Sequence, residues 1–137
     1  MSVKDVATVV VAMNIMCEAE EQLKPLLQKH KLSMNEWLVL KVVYLGFVAS
    51  PSEAATYLNM QRASVTRHAE HLCNQKLLDR LYNIEDRRTV KLTVTSTGNR
   101  LCKTILAKYP NVINKMPDRL DDKDKHFWLS IMNAKNI

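Results

Sequence analysis

Residues 50–98 read SPSEAATYLNMQRASVTRHAEHLCNQKLLDRLYNIEDRRTVKLTVTSTG, and this stretch decides the fold. Ser50 is a good N-cap, Pro51 suits the first helical position, and Glu53 completes a capping box three residues on. The helix they open runs to about Leu58, with Ala54, Ala55 and Leu58 turned inward. Asn59 tolerates the left-handed conformation that ends a helix, and with Met60 it makes a turn. A second helix starts near Gln61 or Arg62 and reaches about Gln75. Val65, Ala69 and Leu72 recur along it at helical spacing and form its buried stripe. The opposite face carries Arg62, Ser64, Thr66 and Arg67. Two short helices in this order, the second one basic, are a helix-turn-helix. Beyond them Val90, Leu92 and Val94 alternate with Lys91, Thr93 and Thr95, the period of a half-buried strand. Leu78 to Tyr82 is its partner, and Asn83 to Arg88 the charged connection. A helix-turn-helix followed by a two-stranded hairpin is a winged helix, so the fold class is mainly α, with a small α+β component.

The run Asp86-Arg87-Arg88, followed by Val94-Thr95 and Gly98, resembles the DRR…LT..G signature of the MarR family of winged-helix transcription regulators. The order of helices is similar too: a long first helix, a second opening LSMNEW, then PSEAATYL and ASVTRHAEHL. The resemblance covers nearly the whole chain and is specific across Ser33–Leu101. One position departs. The family usually has glycine just before the first wing strand, where this chain has Lys76. A non-glycine residue in the left-handed region costs of order 1 kcal/mol, which predicts a differently shaped helix end here.

Outside that stretch, residues 3–29 read as one long helix. Val6, Val9, Val10, Met13, Met16, Cys17 and Leu23 recur at three- and four-residue spacing, and Pro25 is expected to kink or stop the helix near its end. Ser33 and Glu36 form a second capping box, with Leu32 and Trp37 at staple positions around it. The helix they start is almost wholly apolar and ends at Gly46, which suits the central buried helix of the domain. Thr95 caps a further helix through Leu101, Ile105 and Leu106, bent at Pro110 and ended by Met116-Pro117. Asp121 caps a last helix carrying Phe127, Trp128, Ile131 and Met132. The chain is thus expected to be one domain over residues 1–137, with the winged helix-turn-helix core at about 33–98. The first helix, about 3–29, and the last two, about 96–135, carry more apolar surface than one small domain needs, which suggests an intertwined homodimer. In the resembled family these are the dimerisation helices.

Composition sets outer bounds. A net charge of +6 and pI near 9.3 suit a polyanion partner, or an acidic membrane surface. Between Asn59 and Lys91 seven bases face four acids, so +3 of that excess lies in the reading unit. With only Gly46 and Gly98, no glycine-rich phosphate loop or dinucleotide fingerprint can be built. Cys17, Cys73 and Cys102 lie far apart without CxxC spacing, which fits a reducing compartment better than a disulfide framework or zinc ribbon. His30, His68, His71 and His126 do not cluster, so no metal site is expected. The apolar run at the start is too short and interrupted for a membrane span and is followed by Glu18, Glu20 and Glu21, unlike a signal peptide. A cytoplasmic protein without cofactor and without enzymatic activity is the plain reading, as no nucleophile motif, oxyanion loop or carboxylate pair is present.

The expected function is sequence-specific recognition of double-stranded DNA by a homodimeric transcription regulator, a repressor by analogy with many proteins of the resembled family. The second helix of the motif would enter the major groove. Arg62 and Arg67 are candidates for guanine or phosphate contacts, and Ser64 and Thr66 can bond either, or simply cover the helix surface. His68 is a candidate phosphate contact; His71, deeper along the helix, reads as packing or surface. The resemblance implies that Arg88 enters the minor groove with Asp86 holding it, while Arg87 and Lys91 add phosphate contacts. It further implies release by a small aromatic ligand, for which Met13, Met16, Cys17 and Trp37 are candidate cleft walls, although a plain core is the simpler reading. Redox sensing through Cys17 is an alternative, disfavoured by its glutamate neighbours. A winged helix that binds a protein partner rather than an operator is another.

Overall fold

Four left-handed turns end the first four helices. In this computed structural model, which describes residues 3–82, 84–85, 90–108 and 121–126, the chain forms α1 (Val3–Lys29), α2 (Met34–Tyr44), α3 (Pro51–Leu58) and α4 (Arg62–Asn74). Strands β1 (Leu78–Tyr82) and β2 (Val90–Val94) and helix α5 (Ser96–Ala107) follow. After α1, α2, α3 and α4 the chain turns through Lys31, Gly46, Asn59 and Lys76, all at positive φ. Each turn carries the paired backbone bonds of a Schellman end. After α4, for example, Lys76 N–H donates to Cys73 O (2.9 Å) and Leu77 N–H to Leu72 O (2.9 Å). The lysine at 76 therefore does not reshape the helix end, contrary to the sequence-based expectation. It adopts the conformation a glycine would, at φ 61°. The strain is offset locally: Leu72 and Leu77 are buried on either side of the turn, and the Thr95 hydroxyl lies 2.6 Å from Lys76 O and 3.2 Å from Leu77 O.

The helix starts follow the sequence closely. Ser33 and Glu36 form a complete reciprocal capping box on α2. At α3 the Ser50 hydroxyl accepts from Glu53 N–H, but the Glu53 carboxylate accepts from that same hydroxyl rather than from the Ser50 backbone. Gly98 N–H donates to the Thr95 hydroxyl to cap α5 (3.0 Å). Asp121 caps the helical residues 122–126 through the Asp124 N–H (2.8 Å). Pro25 does not stop α1, which runs to Lys29. The missing N–H removes a single helical bond, and the buried Leu23 and Leu27 on either side keep the turn in register. The bends expected at Pro110 and Met116-Pro117, and the apolar positions Phe127, Trp128, Ile131 and Met132, lie outside the described residues.

Two compact units are present: Leu27–Ala107, and the segments flanking it in sequence. In the first unit α2 is the central element, touching α3, α4, α5 and β2. Its Trp37, Val39 and Leu40 are fully buried, together with Ala54 of α3, Val65 and Leu72 of α4, and Cys102 and Ile105 of α5. β1 and β2 pair antiparallel with Leu78 opposite Val94 and Tyr82 opposite Val90. Leu92 N–H donates to Ala49 O (2.7 Å), which anchors the hairpin to the segment just ahead of α3. In the other unit, α1 exposes Val6, Val9, Val10 and Met13 along one face. Among the described residues no helix is long and apolar enough to cross a membrane.

Two substitutions test these junctions. A Cβ on Gly98 would lie 2.2 Å from Leu77 O, a backbone atom that cannot swing away. Gly98→Ala is therefore expected to lower unfolding free energy by about 1–3 kcal/mol, as overpacking does. Lys76→Gly should raise it by about 1 kcal/mol by relieving the left-handed strain. Urea denaturation of both variants reads out both signs.

Candidate nucleic-acid interface

The exposed side of α4 is a short stripe of polar residues opposite its buried Val65, Ala69 and Leu72. Arg62, Thr66 and Arg67 are exposed, and Ser64 and His68 half-buried. Two local bonds order this surface. The Thr66 hydroxyl donates to Arg62 O (2.9 Å), leaving its lone pairs outward. The Arg67 guanidinium donates to the Ser64 hydroxyl one turn back (3.3 Å). The side chain that would read a base is thus already held over the helix surface, which reduces the entropy it loses on binding.

Beside the stripe lies a cavity of about 380 Å³ between the start of α3, the front of α4 and the hairpin. Ser50, which caps α3, Ser52 from α3, Arg62 and Thr66 from α4 and Arg80 from β1 line it. Two guanidinium groups converge there with the Ser52 hydroxyl, and no carboxylate is among the described lining residues; the Ser50 and Thr66 hydroxyls also line it, but their protons are already given to the Glu53 carboxylate and to Arg62 O. Such a recess suits an anion with several acceptor oxygens, and the two guanidinium forks match phosphate geometry. The α3 backbone N–H groups add a favourable dipole at the same edge. Arg80 was not singled out from the sequence. Its strand position was legible, but only the register that sets Arg80 opposite Leu92 brings it to α4.

The remaining predicted residues divide. Lys91 is exposed on β2. Asp86, Arg87 and Arg88 lie outside the described residues. Of the candidate cleft walls, Trp37 is fully buried in the core of the 27–107 unit, Met13 and Cys17 are exposed on α1, and the side chain of Met16 is outside the described set. Among the described residues no group of three potential metal ligands converges. Burial pushes the Cys102 thiol up to about 11 and raises Cys73 as well, although Arg80 beside Cys73 works the other way. Neither is poised as a thiolate nucleophile.

One contact was not foreseen. The His71 imidazole of α4 reaches the second carboxylate oxygen of Glu36 on α2. Burial raises the Glu36 carboxyl, but the bonds from His71 and from Ser33 outweigh it and hold the group below its ordinary value of 4.5. His71 is therefore not a free surface residue. The sequence signal was slight: a capping glutamate with a spare oxygen, and a histidine one turn behind Arg67.

The SarA/Rot transcriptional regulators match residues 21–105 of the chain. No curated protein matches it by sequence. Among solved structures it is similar to the transcriptional regulator PA4135, with 16% identity and a TM-score of 0.73 over 93% of this chain and 94% of that one. A mutant of MarR from E. coli complexed with operator DNA superimposes with a TM-score of 0.67 at 18% identity, over 91% and 87% of the two chains. A mutant of S. aureus MepR bound to an oligodeoxyribonucleotide does so at 0.61 and 13%, over 98% and 96%. At these identities the likeness is one of fold: the winged helix-turn-helix.

The Glu36 contacts predict a pH dependence with a definite sign. Because the native carboxyl titrates below its unfolded value, its stabilisation is complete above about 4.5 and is lost as pH falls through the lowered native value. Glu36→Gln keeps a capping-box side chain but not the charge. Its stability deficit is expected to be about 1–2 kcal/mol near neutral pH, the scale of a charge-assisted hydrogen bond. The gap between wild type and variant should then close in denaturation curves taken progressively below pH 4.5.

Proposed function

The chain belongs to the SarA/Rot family of transcriptional regulators, and from that premise we propose that it binds double-stranded DNA sequence-specifically as a homodimer. The observation that carries the reading is the cationic recess beside α4, where Arg62, Arg80 and Thr66 meet the start of α3. A backbone phosphate seated there sets the register of the duplex, and α4 then lies in the major groove with Arg67 and Ser64 toward base edges. The hairpin extends from the same edge toward the flanking minor groove. The part of Asp86, Arg87 and Arg88 in that contact rests on the sequence, with a narrow groove's negative potential as its physical basis. The exposed apolar face of α1 supports the dimer, since Val6, Val9, Val10 and Met13 form a stripe that favours leaving water.

A two-fold dimer would present two α4 helices about 34–36 Å apart. Selection from random-sequence duplexes is therefore expected to enrich a pseudo-palindrome with half-sites about 10 bp apart. On the selected site, Arg67→Ala should cost about 1–3 kcal/mol and relax preference at one position per half-site. Arg80→Ala should weaken selected and scrambled duplexes alike and reduce the salt slope by about 0.9 per protomer. Weak, salt-labile binding without an enriched motif would refute the proposal.

A further inference from the structure

Ser64, Arg67, His71 and Gln75 follow one another at intervals of three, four and four residues, so they lie along one stripe of α4. The front pair is joined to itself, Arg67 to Ser64. The rear pair is joined to another part of the fold. His71 bonds the Glu36 carboxylate, and Gln75 Nε2 donates to Lys31 O (3.3 Å). The two acceptors flank the junction between α1 and α2, Lys31 in the turn after α1 and Glu36 in the first turn of α2. That junction has little freedom. Lys31 is fixed in the left-handed turn closing α1, and Glu36 is only 7% exposed and bound into the capping box of α2. Two side-chain straps therefore tie the rear of α4 to a junction that is itself held by a left-handed turn and a capping box.

We infer that His71 and Gln75, through Glu36 and Lys31, set the rotation of the recognition helix about its own axis and so position Arg67 for base reading. This rests on the DNA-binding reading above. The geometry explains why straps are needed. The buried stripe of α4 is Val65, Ala69 and Leu72, and apolar contacts, being non-directional, fix its depth in the core more strictly than its rotation. A roll of about 15° moves a point at the helix surface, about 5–6 Å from the axis, by about 1.5 Å. That is enough to break a hydrogen bond whose useful range is about 0.5 Å wide. The two straps sit on the same stripe as Arg67, where they oppose roll most directly. Neither His71 nor Gln75 needs to touch DNA for this.

The test compares affinity for the selected operator with affinity for a scrambled duplex of the same length, at one salt concentration. His71→Ala is expected to lower operator affinity about tenfold, 1.4 kcal/mol, while leaving scrambled binding and the salt slope unchanged. His71→Asn, whose amide nitrogen can take the place of Nδ1, should recover most of the loss, and Gln75→Ala should act in the same direction as His71→Ala. Glu36→Gln, which retains the cap, provides a folded variant altered from the other side. An unchanged operator-to-scrambled ratio in His71→Ala, even with lowered thermal stability, would overturn the inference and leave the pair a stability element. Equal weakening on both duplexes would also overturn it, by making His71 a phosphate contact. A wild-type protein that selects no operator would instead fail the DNA-binding proposal itself.

Discussion

The backbone crossing at Gly98 governs how the wing is mounted. Leu77, leaving α4, and Gly98, entering α5, approach so closely that no Cβ fits between them. Thr95 holds the same junction, its N–H donating to Leu77 O and its hydroxyl accepting from Gly98 N–H. The chain thus departs for the hairpin and returns from it at nearly one point. That fixes the base of β1 and β2 relative to α4, and the bond from Leu92 to Ala49 fixes their flank relative to α3. A hairpin of two strands is marginal in water by itself. Here the two strands are held at their root and at their side.

From that mounting follows the surface that matters. Arg80 lies on β1, Arg62 on α4 and Ser50 at the start of α3, and they share a recess only because the hairpin root and the turn at Asn59 hold those three elements together. Each interaction at the surface is weak. What the recess offers is two guanidinium groups brought together from separate elements, whose forked donors match the geometry of an anion with several oxygens. Along α4 itself, Thr66 and Arg67 are already bonded within the helix.

Glu36 connects this surface to the core. One of its oxygens completes the cap of α2 and the other takes His71, so a single buried carboxylate joins a helix start to a neighbouring helix. A buried carboxylate without such partners would be costly; with them its charged form is favoured despite burial. The cost of strain at Lys76 is met in a similar way, by local bonds from a residue far away in sequence, Thr95.

Much of the fold was legible from residues alone because its signals are local. N-caps at Ser33, Ser50, Thr95 and Asp121 each act within three residues, the apolar stripe of α4 repeats at helical spacing, and the alternation at Val90–Val94 needs only a period of two. These features name the helix-turn-helix, the hairpin and the basic exposed face of α4 without any tertiary information. The extent of α1 was legible, residues 3–29 as read, but the left-handed setting of Lys76 was not, since it is decided by packing that propensity does not include. Nor were Arg80 in the anion recess and His71 on Glu36, whose partners are brought close by strand register and by the packing of α4 on α2. Pattern along the chain can say which face of an element is polar. Which polar groups meet depends on distances between elements, and only the folded backbone sets those.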